Sequence, residues 1–415
     1  MRRVALVGWL IAIAGALRLL PLARLHPIVW DEIEYFRATD WVAHGLVPYR
    51  DFWEHHTPLQ WFVFAPIAAL TKSPGVSAIL TMRWAQVPLW IVTFVLLAKW
   101  MRRAGASKVA TLLAVLCALC STRFMLGAIE YRVDALGCAL FIAALYLGGF
   151  ARGAALCLAG FANIRLGPLL ALTILVNPLP RERERVAEGR VRVVLGAAIT
   201  FALCATYFFA THSAAIAFRR VWTENYLADR YSGEPELAMI RRLATPFGVV
   251  AGGFDLAAVD VGTIVIFVAG VAGVILAFRE RGDLRRLAIL QVANIAFVAS
   301  MKFIYHYHFL IIILLALPFV AHVGDLLLAR GRWREIVTVV IITIVVSVFA
   351  SVMVIRDGCA WTVSTSGAVV PDAIVAVRTW RPTVWSDVVN EPSAMPMIVD
   401  PSRKTVCVLV GPKAS

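Results

Sequence analysis

Apolar runs of about twenty residues recur along this chain with hardly a charge inside them. Val4 to Leu25 is the first, and Ala78–Ala98, Val193–Ala210, Leu256–Phe278 and Ile336–Ile355 follow. A run of that length is what a helix needs to cross the hydrocarbon core, roughly 17–25 residues. Hydrophobic residues make up 60% of the 415, against roughly 45–50% in soluble domains. The chain therefore reads as an all-α polytopic membrane protein. Its formal charge of +14 would raise nucleic acid as a partner for a soluble protein. Here the arginines gather in short loops between apolar runs, which orients helices across a bilayer instead.

Charge bias then sets the topology. Met1-Arg2-Arg3 places the amino end inside, and the first span ends near Leu25. Residues 26–76 form the first external loop. Within it, Asp31 to His44 reads as a short amphipathic helix lying in the interface, with Gly45 suited to its end. Leu59–Leu70 is too short to span, so it is interfacial or re-entrant. If it does not span, Lys99, Arg102, Arg103 and Lys108 fall inside. Arg181, Arg183, Arg185, Arg190 and Arg192 do the same, as do Arg279 to Arg286 and Arg330 to Arg334. About eleven spans result, with Ala154–Asn163 and Gly167–Val176 as a short pair. Residues 1–355 make the membrane domain. Residues 356–415 are an external tail that turns polar, strand-like at Ile374–Val377 and Val406–Val410, and could form a small α/β unit. Cys359 and Cys407 could pair there, whereas Cys117, Cys120, Cys138, Cys157 and Cys204 sit in apolar runs as packing residues. No Asn-x-Ser/Thr sequon occurs, in keeping with a bacterial inner membrane.

Polar chemistry has few places to sit in such a chain. The densest is Trp30 to Pro58, WDEIEYFRATDWVAHGLVPYRDFWEHHTP. Asp31 and Glu32 stand at the outer end of the first span. Asp31 with Glu34 also fits a D-x-x-E capping pattern, and a capping carboxylate is held rigidly without being barred from catalysis. Asp51, Glu54, His55 and His56 follow. Paired histidines beside carboxylates suggest a divalent metal, but adjacent histidines rarely ligate one ion well, so an interfacial hydrogen-bond cluster is the favoured reading and no cofactor is expected. Glu130, Arg132 and Asp134 form a short external turn. Arg165 lies in the break between the two short helices, where a cation is expensive unless a phosphate or carboxylate is near. Lys302, Tyr305, His306, Tyr307 and His308 join two later spans at the same face, a set suited to a phosphate headgroup or to an aromatic belt. No Walker loop, dinucleotide fingerprint or H-E-x-x-H motif occurs, which argues against an ATP-driven pump.

The order of these motifs resembles the GT-C superfamily of integral-membrane glycosyltransferases, in the branch of protein O-mannosyltransferases and lipid A aminoarabinose transferases. The resemblance rests on Asp31-Glu32-Ile-Glu-Tyr35, Gly45-Leu-Val-Pro48-Tyr49-Arg-Asp51 and His55-His56-Thr57-Pro58-Leu59, then Arg132-Val-Asp134 and Lys302 to Pro318. It covers the first 180 residues best. Thr57 stands where the aminoarabinose transferases carry a lysine, so neither lipid A nor aminoarabinose is implied. The resemblance implies a GT-C fold and a sugar donor carried on polyprenyl phosphate. It implies Asp31 as general base, with Glu32 orienting Asp31 or the acceptor. Arg132, Asp134, Arg165, Lys302, Tyr305 and His306 would bind the substrate or the donor phosphate. Tyr35, Tyr49, Asp51, His55 and His56 would contact the acceptor or support the first loop. The expected activity is inverting glycosyl transfer to a cell-envelope acceptor on the external face, with membrane lipid and no nucleic acid as partners. A carrier or flippase for a lipid-linked sugar is the alternative; it would favour broken, charged helices in repeated halves, and no repeat is visible.

Overall fold

A computed structural model describes residues 19–26, 28–71, 75–176, 186–224, 247–250, 253–280, 282–300, 306–345, 398–400 and 405–407. The elements are helical almost throughout. In chain order they are α1 (Leu19–Leu25), α2 (Trp30–Ala43), α3 (Leu59–Ala69), α4 (Val76–Arg103), α5 (Lys108–Cys120), α6 (Thr122–Ile129), α7 (Val133–Tyr146) and α8 (Gly149–Ala162). A 3-10 turn, Ile164–Leu166, leads into α9 (Gly167–Val176), followed by α10 (Val186–Ala210) and α11 (Ala214–Phe218). Two strands, β1 (Phe247–Val250) and β2 (Gly253–Val259), pair antiparallel before α12 (Val261–Arg279), α13 (Asp283–Ser300), a 3-10 turn His306–His308 and α14 (Phe309–Ala329). Residues 333–345 are helical. Strands β3 (Ile398–Asp400) and β4 (Thr405–Cys407) form a second antiparallel hairpin.

Membrane character follows from length and composition. Helices α4, α10, α12 and α14 are each long and apolar enough to cross a bilayer. The α5–α6 pair passes the same test as one broken span, bent by 69°. Four more helices, α3, α7, α8 and α9, are apolar but shorter. The eleven expected spans are thus represented by fewer full-length helices among the described residues. The expected straight span from Val109 to Gly127 is not one rod. Ser121 ends α5 with extended backbone, and its hydroxyl then accepts the Phe124 N–H at 3.0 Å to start α6. Most of the first expected span, and Arg18, lie outside the described residues, as does the tail apart from β3 and β4.

The main core is built by α1, α4–α9 and α12–α14, with Trp90, Phe124, Phe141, Leu314 and Phe319 among its buried side chains. A second cluster seats α2 and α3 on the start of α4 through Ile33, Phe36, Phe64 and Met82. The tightest helix crossing is α8 on α10. A methyl group added at Gly196 would sit 2.1 Å from the Phe150 carbonyl oxygen, and one at Gly153 would sit 1.9 Å from that of Val193. Small residues let two membrane helices approach backbone to backbone where no hydrophobic drive separates protein from lipid. Gly196→Val is therefore expected to force α8 and α10 apart and to cost about 1–3 kcal/mol. A detergent melting curve unchanged from wild type would contradict this crossing.

Candidate active site

Helix α2 places two neighbouring acids in opposite surroundings. Its first turn emerges from the α1 connection, and successive residues point about 100° apart around a helix. Glu32 points inward and is completely buried. Its two oxygens take the Arg83 guanidinium in a fork, at 2.6 Å from Nε and 2.5 Å from Nη2. The Tyr131 N–H donates to it at 2.7 Å and the Val29 N–H at 3.1 Å. Arg83 Nη1 in turn donates to the Ala23 and His26 carbonyls. Glu32 therefore has no oxygen left for a substrate. It is a positioning residue that ties α1, α2, α4 and the α6–α7 turn together, and of the two roles expected of it, orienting Asp31 or the acceptor, its hydrogen bonds suit the first. It also takes the capping role expected of Asp31 with Glu34, since Val29 precedes the helix and Glu32 accepts its N–H. At the far end, α2 stops at Ala43 and Gly45 turns the chain with φ +84°, as its sequence suggests.

Asp31 points the other way, with a side chain 41% exposed. Its Oδ2 accepts from Arg132 Nη1 at 2.6 Å across 101 residues of chain. Arg132 stands at the start of α7 and is the hub of the cluster. It lies near Asp134 at 3.4 Å and Glu130 at 3.7 Å, and its guanidinium sits 3.3 Å from the centre of the Tyr307 ring. Asp134 also accepts from Asn163 Nδ2 at 2.9 Å. His26 closes the far side, with Nε2 3.2 Å from Glu130.

Arg165 enters from the break between α8 and α9. The Asn163 side chain accepts the Arg165 N–H at 3.1 Å and shapes the 3-10 turn that carries it. The Arg165 guanidinium lies 5.5 Å from the Tyr307 ring centre, and its Nη1 is buried with no hydrogen-bond partner among the described residues. Asp134, Asn163, Arg165, Asn294, Tyr307 and His308 line one small cavity. A buried cation that still has a donor to give, beside a second cation already shared among acids, is an arrangement suited to an incoming anion.

The first-loop residues form an adjoining layer. Tyr49 is held at φ +68° and its hydroxyl donates to the His56 carbonyl at 2.5 Å. The carboxylate of Asp51 accepts the Val47 N–H and is gripped by Arg50. The Arg50 contact, with the Val47 N–H second, holds that carboxyl down at about 2. Asp51 thus folds its own loop rather than reaching the cluster. Tyr35 is buried and shares a 2.9 Å hydrogen bond with His56 Nε2. Glu54 Oε1 accepts the amides of His55 and His56 and meets His56 Nδ1 at 2.8 Å. Burial, followed by the charge of Glu54, raises the Glu34 carboxyl to about 8, and burial lowers the His55 imidazole to about 4.

Among the expected site residues, the structure gathers Asp31, Tyr35, Arg132, Asp134 and Arg165 around Tyr307, with His55 and His56 next to them. Lys302 and Tyr305 lie outside the described residues. His306 begins the 3-10 turn that presents Tyr307. Sequence reasoning missed Arg83, although an arginine inside the apolar run of α4 carries the same signal that drew attention to Arg165. It also missed His26, which no local pattern marks.

The whole arrangement of helices has solved counterparts. ArnT from Cupriavidus metallidurans bound to undecaprenyl phosphate superposes with a TM-score of 0.56 at 12% identity, covering 77% of this chain and 60% of that one. Its apo state gives 0.53 at 14%, covering 80% and 62%. The Archaeoglobus fulgidus oligosaccharyltransferase, in complex with Zn and sulfate, gives 0.51 at 14%, covering 93% and 57%. This chain has the GT-C fold. It spans about 60% of the length of its ArnT counterpart. No family model matches the sequence, and no curated protein matches it. The likeness is one of fold, carried by helices whose residues have largely diverged. The GT-C arrangement expected from the acidic pair and the Arg-x-Asp turn is the one observed.

Proposed function

We propose that this GT-C protein is a glycosyltransferase that moves a sugar from a polyprenyl-phosphate donor to a hydroxyl of a cell-envelope acceptor, at the external face of a bacterial inner membrane. One observation carries the reading: a half-exposed carboxylate, Asp31, is fixed within the same cluster as a buried arginine donor, Arg165 Nη1, that no group among the described residues satisfies.

The chemistry needs those two things. An acceptor hydroxyl is a poor nucleophile and requires a positioned base. Arg132 engages Asp31 through Oδ2, which leaves Oδ1 to take the proton as the new glycosidic bond forms. The bond from the anomeric carbon to the phosphate oxygen breaks, and the phosphate departs with the electron pair. A phosphate monoester has a second pKa of about 6, so it leaves without a general acid when cations meet its charge. Arg165 is the cation suited to that task, with Arg132 and the Tyr307 ring completing the wall. Attack opposite the leaving group inverts the anomeric centre. The donor's isoprenoid tail fits the apolar cavity of about 620 Å³ lined by Phe161, Ile164, Phe208, Phe209, Phe218 and Trp222. That cavity begins next to Arg165, at Ile164. ArnT, the fold neighbour solved with undecaprenyl phosphate, supports the donor class.

The test is a deletion strain complemented with wild type or Arg165→Gln, its envelope glycans and glycolipids compared by mass spectrometry. One defined sugar mass should vanish on deletion and return with wild type. Arg165→Gln should lower the transfer rate by about 100-fold. An envelope unaltered by deletion would sink the proposal.

A further inference from the structure

Beside the Asp31–Arg132 cluster, the first loop folds back on α2 and brings together Glu34, Glu54, His55 and His56. One ligand atom from each of the four lies within 4.8 Å of all the others. Glu34 comes from α2 and the other three from the loop before Pro58, about twenty residues later. We propose that these four side chains form a binding site for a divalent transition metal of the zinc class, which clips the loop to the helix that carries Asp31.

Geometry supports a single ion. Bonds of about 2.0–2.1 Å from a tetrahedral zinc put neighbouring ligand atoms roughly 3.3 Å apart. His55 Nδ1 lies 3.4 Å from Glu54 Oε1 and 3.9 Å from Glu34 Oε1. The His56–Glu54 pair, hydrogen-bonded at 2.8 Å, must open by about half an ångström. Adjacent histidines usually diverge, but here both amides donate to one Glu54 oxygen. That turn brings the two rings to 3.9 Å between centres.

A second observation is independent of the clustering. Glu54 is 1% exposed, and its other oxygen, Oε2, is buried with no hydrogen-bond partner among the described residues. A carboxylate oxygen left bare in the interior costs about 1–3 kcal/mol or more, and a metal ion would satisfy it. His56 is also oriented as a ligand should be. Its Nε2 is held by the Tyr35 hydroxyl at 2.9 Å, so Nδ1 is the nitrogen turned to the carboxylates. Metal-ligating histidines usually anchor their second nitrogen in this way. Two imidazoles and two carboxylates suit zinc, manganese, iron or cobalt better than magnesium or calcium, which favour oxygen alone.

The experiment reads metal, not transfer, so it stands or falls apart from the proposed activity. Untagged full-length protein in detergent is equilibrated with zinc, desalted and assayed for bound metal by mass spectrometry. About one equivalent should remain, and a tenfold excess of magnesium should not displace it. Cobalt should give a visible d–d absorption band, and zinc should raise the melting temperature of wild type. Glu54→Gln and His56→Gln should each lower retention at least tenfold. Glu34→Gln, at a partly exposed helix position, serves where those variants fold poorly and should also weaken binding. Wild type that keeps no zinc and shows no cobalt band would overturn the site. Retention unaffected by Glu34→Gln and by whichever loop variant folds would overturn it equally, leaving a hydrogen-bond cluster only.

Discussion

Asp31→Asn is expected to lower turnover by about 100- to 10,000-fold, the usual range for removing a positioned general base. The substitution is nearly isosteric. The amide oxygen can still accept from Arg132, which donates to Asp31 now at 2.6 Å, so the cluster should keep its shape. What is lost is the ability to take a proton. Melting temperature and expression should stay near wild type, and donor affinity should change little, because the donor phosphate is assigned to Arg165. The check is a complementation or single-turnover assay with matched amounts of folded protein. A variant that restores the full glycan would reduce Asp31 to the end of a helix and move a carrier role ahead.

Arg83→Met should act in a different way, on folding rather than on chemistry. Breaking a buried ion pair by removing one partner costs about 3–5 kcal/mol, since the other charge is left without compensation. Here the stranded charge would be Glu32, and the Ala23 and His26 carbonyls would lose their donor as well. The melting temperature should fall sharply, while the fraction that remains folded keeps its turnover. Glu32→Leu together with Arg83→Met should not rescue the loss. The double variant removes both charges, yet the Val29 and Tyr131 N–H groups and the two carbonyls are then all unsatisfied. Recovery to wild-type stability in that double variant would show that the pair merely fills space.

Much of the site was legible because this chain is so apolar. A carboxylate or an arginine next to a membrane run has to be explained, and Asp31, Arg132, Asp134 and Arg165 stand out for that reason. Their meeting across more than a hundred residues was not legible. It depends on the 69° bend after Cys120 and on the 3-10 turn at Ile164–Leu166, neither of which a hydrophobic pattern encodes. The roles of Asp31 and Glu32 were harder still, because adjacency in sequence says nothing about which one faces inward. That is decided by Arg83, a partner 51 residues away. Span counting was limited for a related reason. Helices of 10–17 residues such as α7 and α8 read as membrane segments by composition, while their length falls short of a straight crossing. Glu54 read as one acid among several, and only the fold shows that its loop turns back to bury it.

The contrast between Asp31 and Glu32 makes the first turn of α2 a matter of rotational phase. Inserting a single residue between Val29 and Asp31 would advance the helix by about 100° and bring a different pair of side chains to the two stations. An acid would then leave Arg83, or Asp31 would leave Arg132, with every original residue still present. Protein engineers seeking to retarget this scaffold should therefore vary the walls around Tyr307 and hold the length of the α1–α2 connection fixed. Homologues carrying insertions there are expected to lose the proposed transfer while keeping every residue assigned to it.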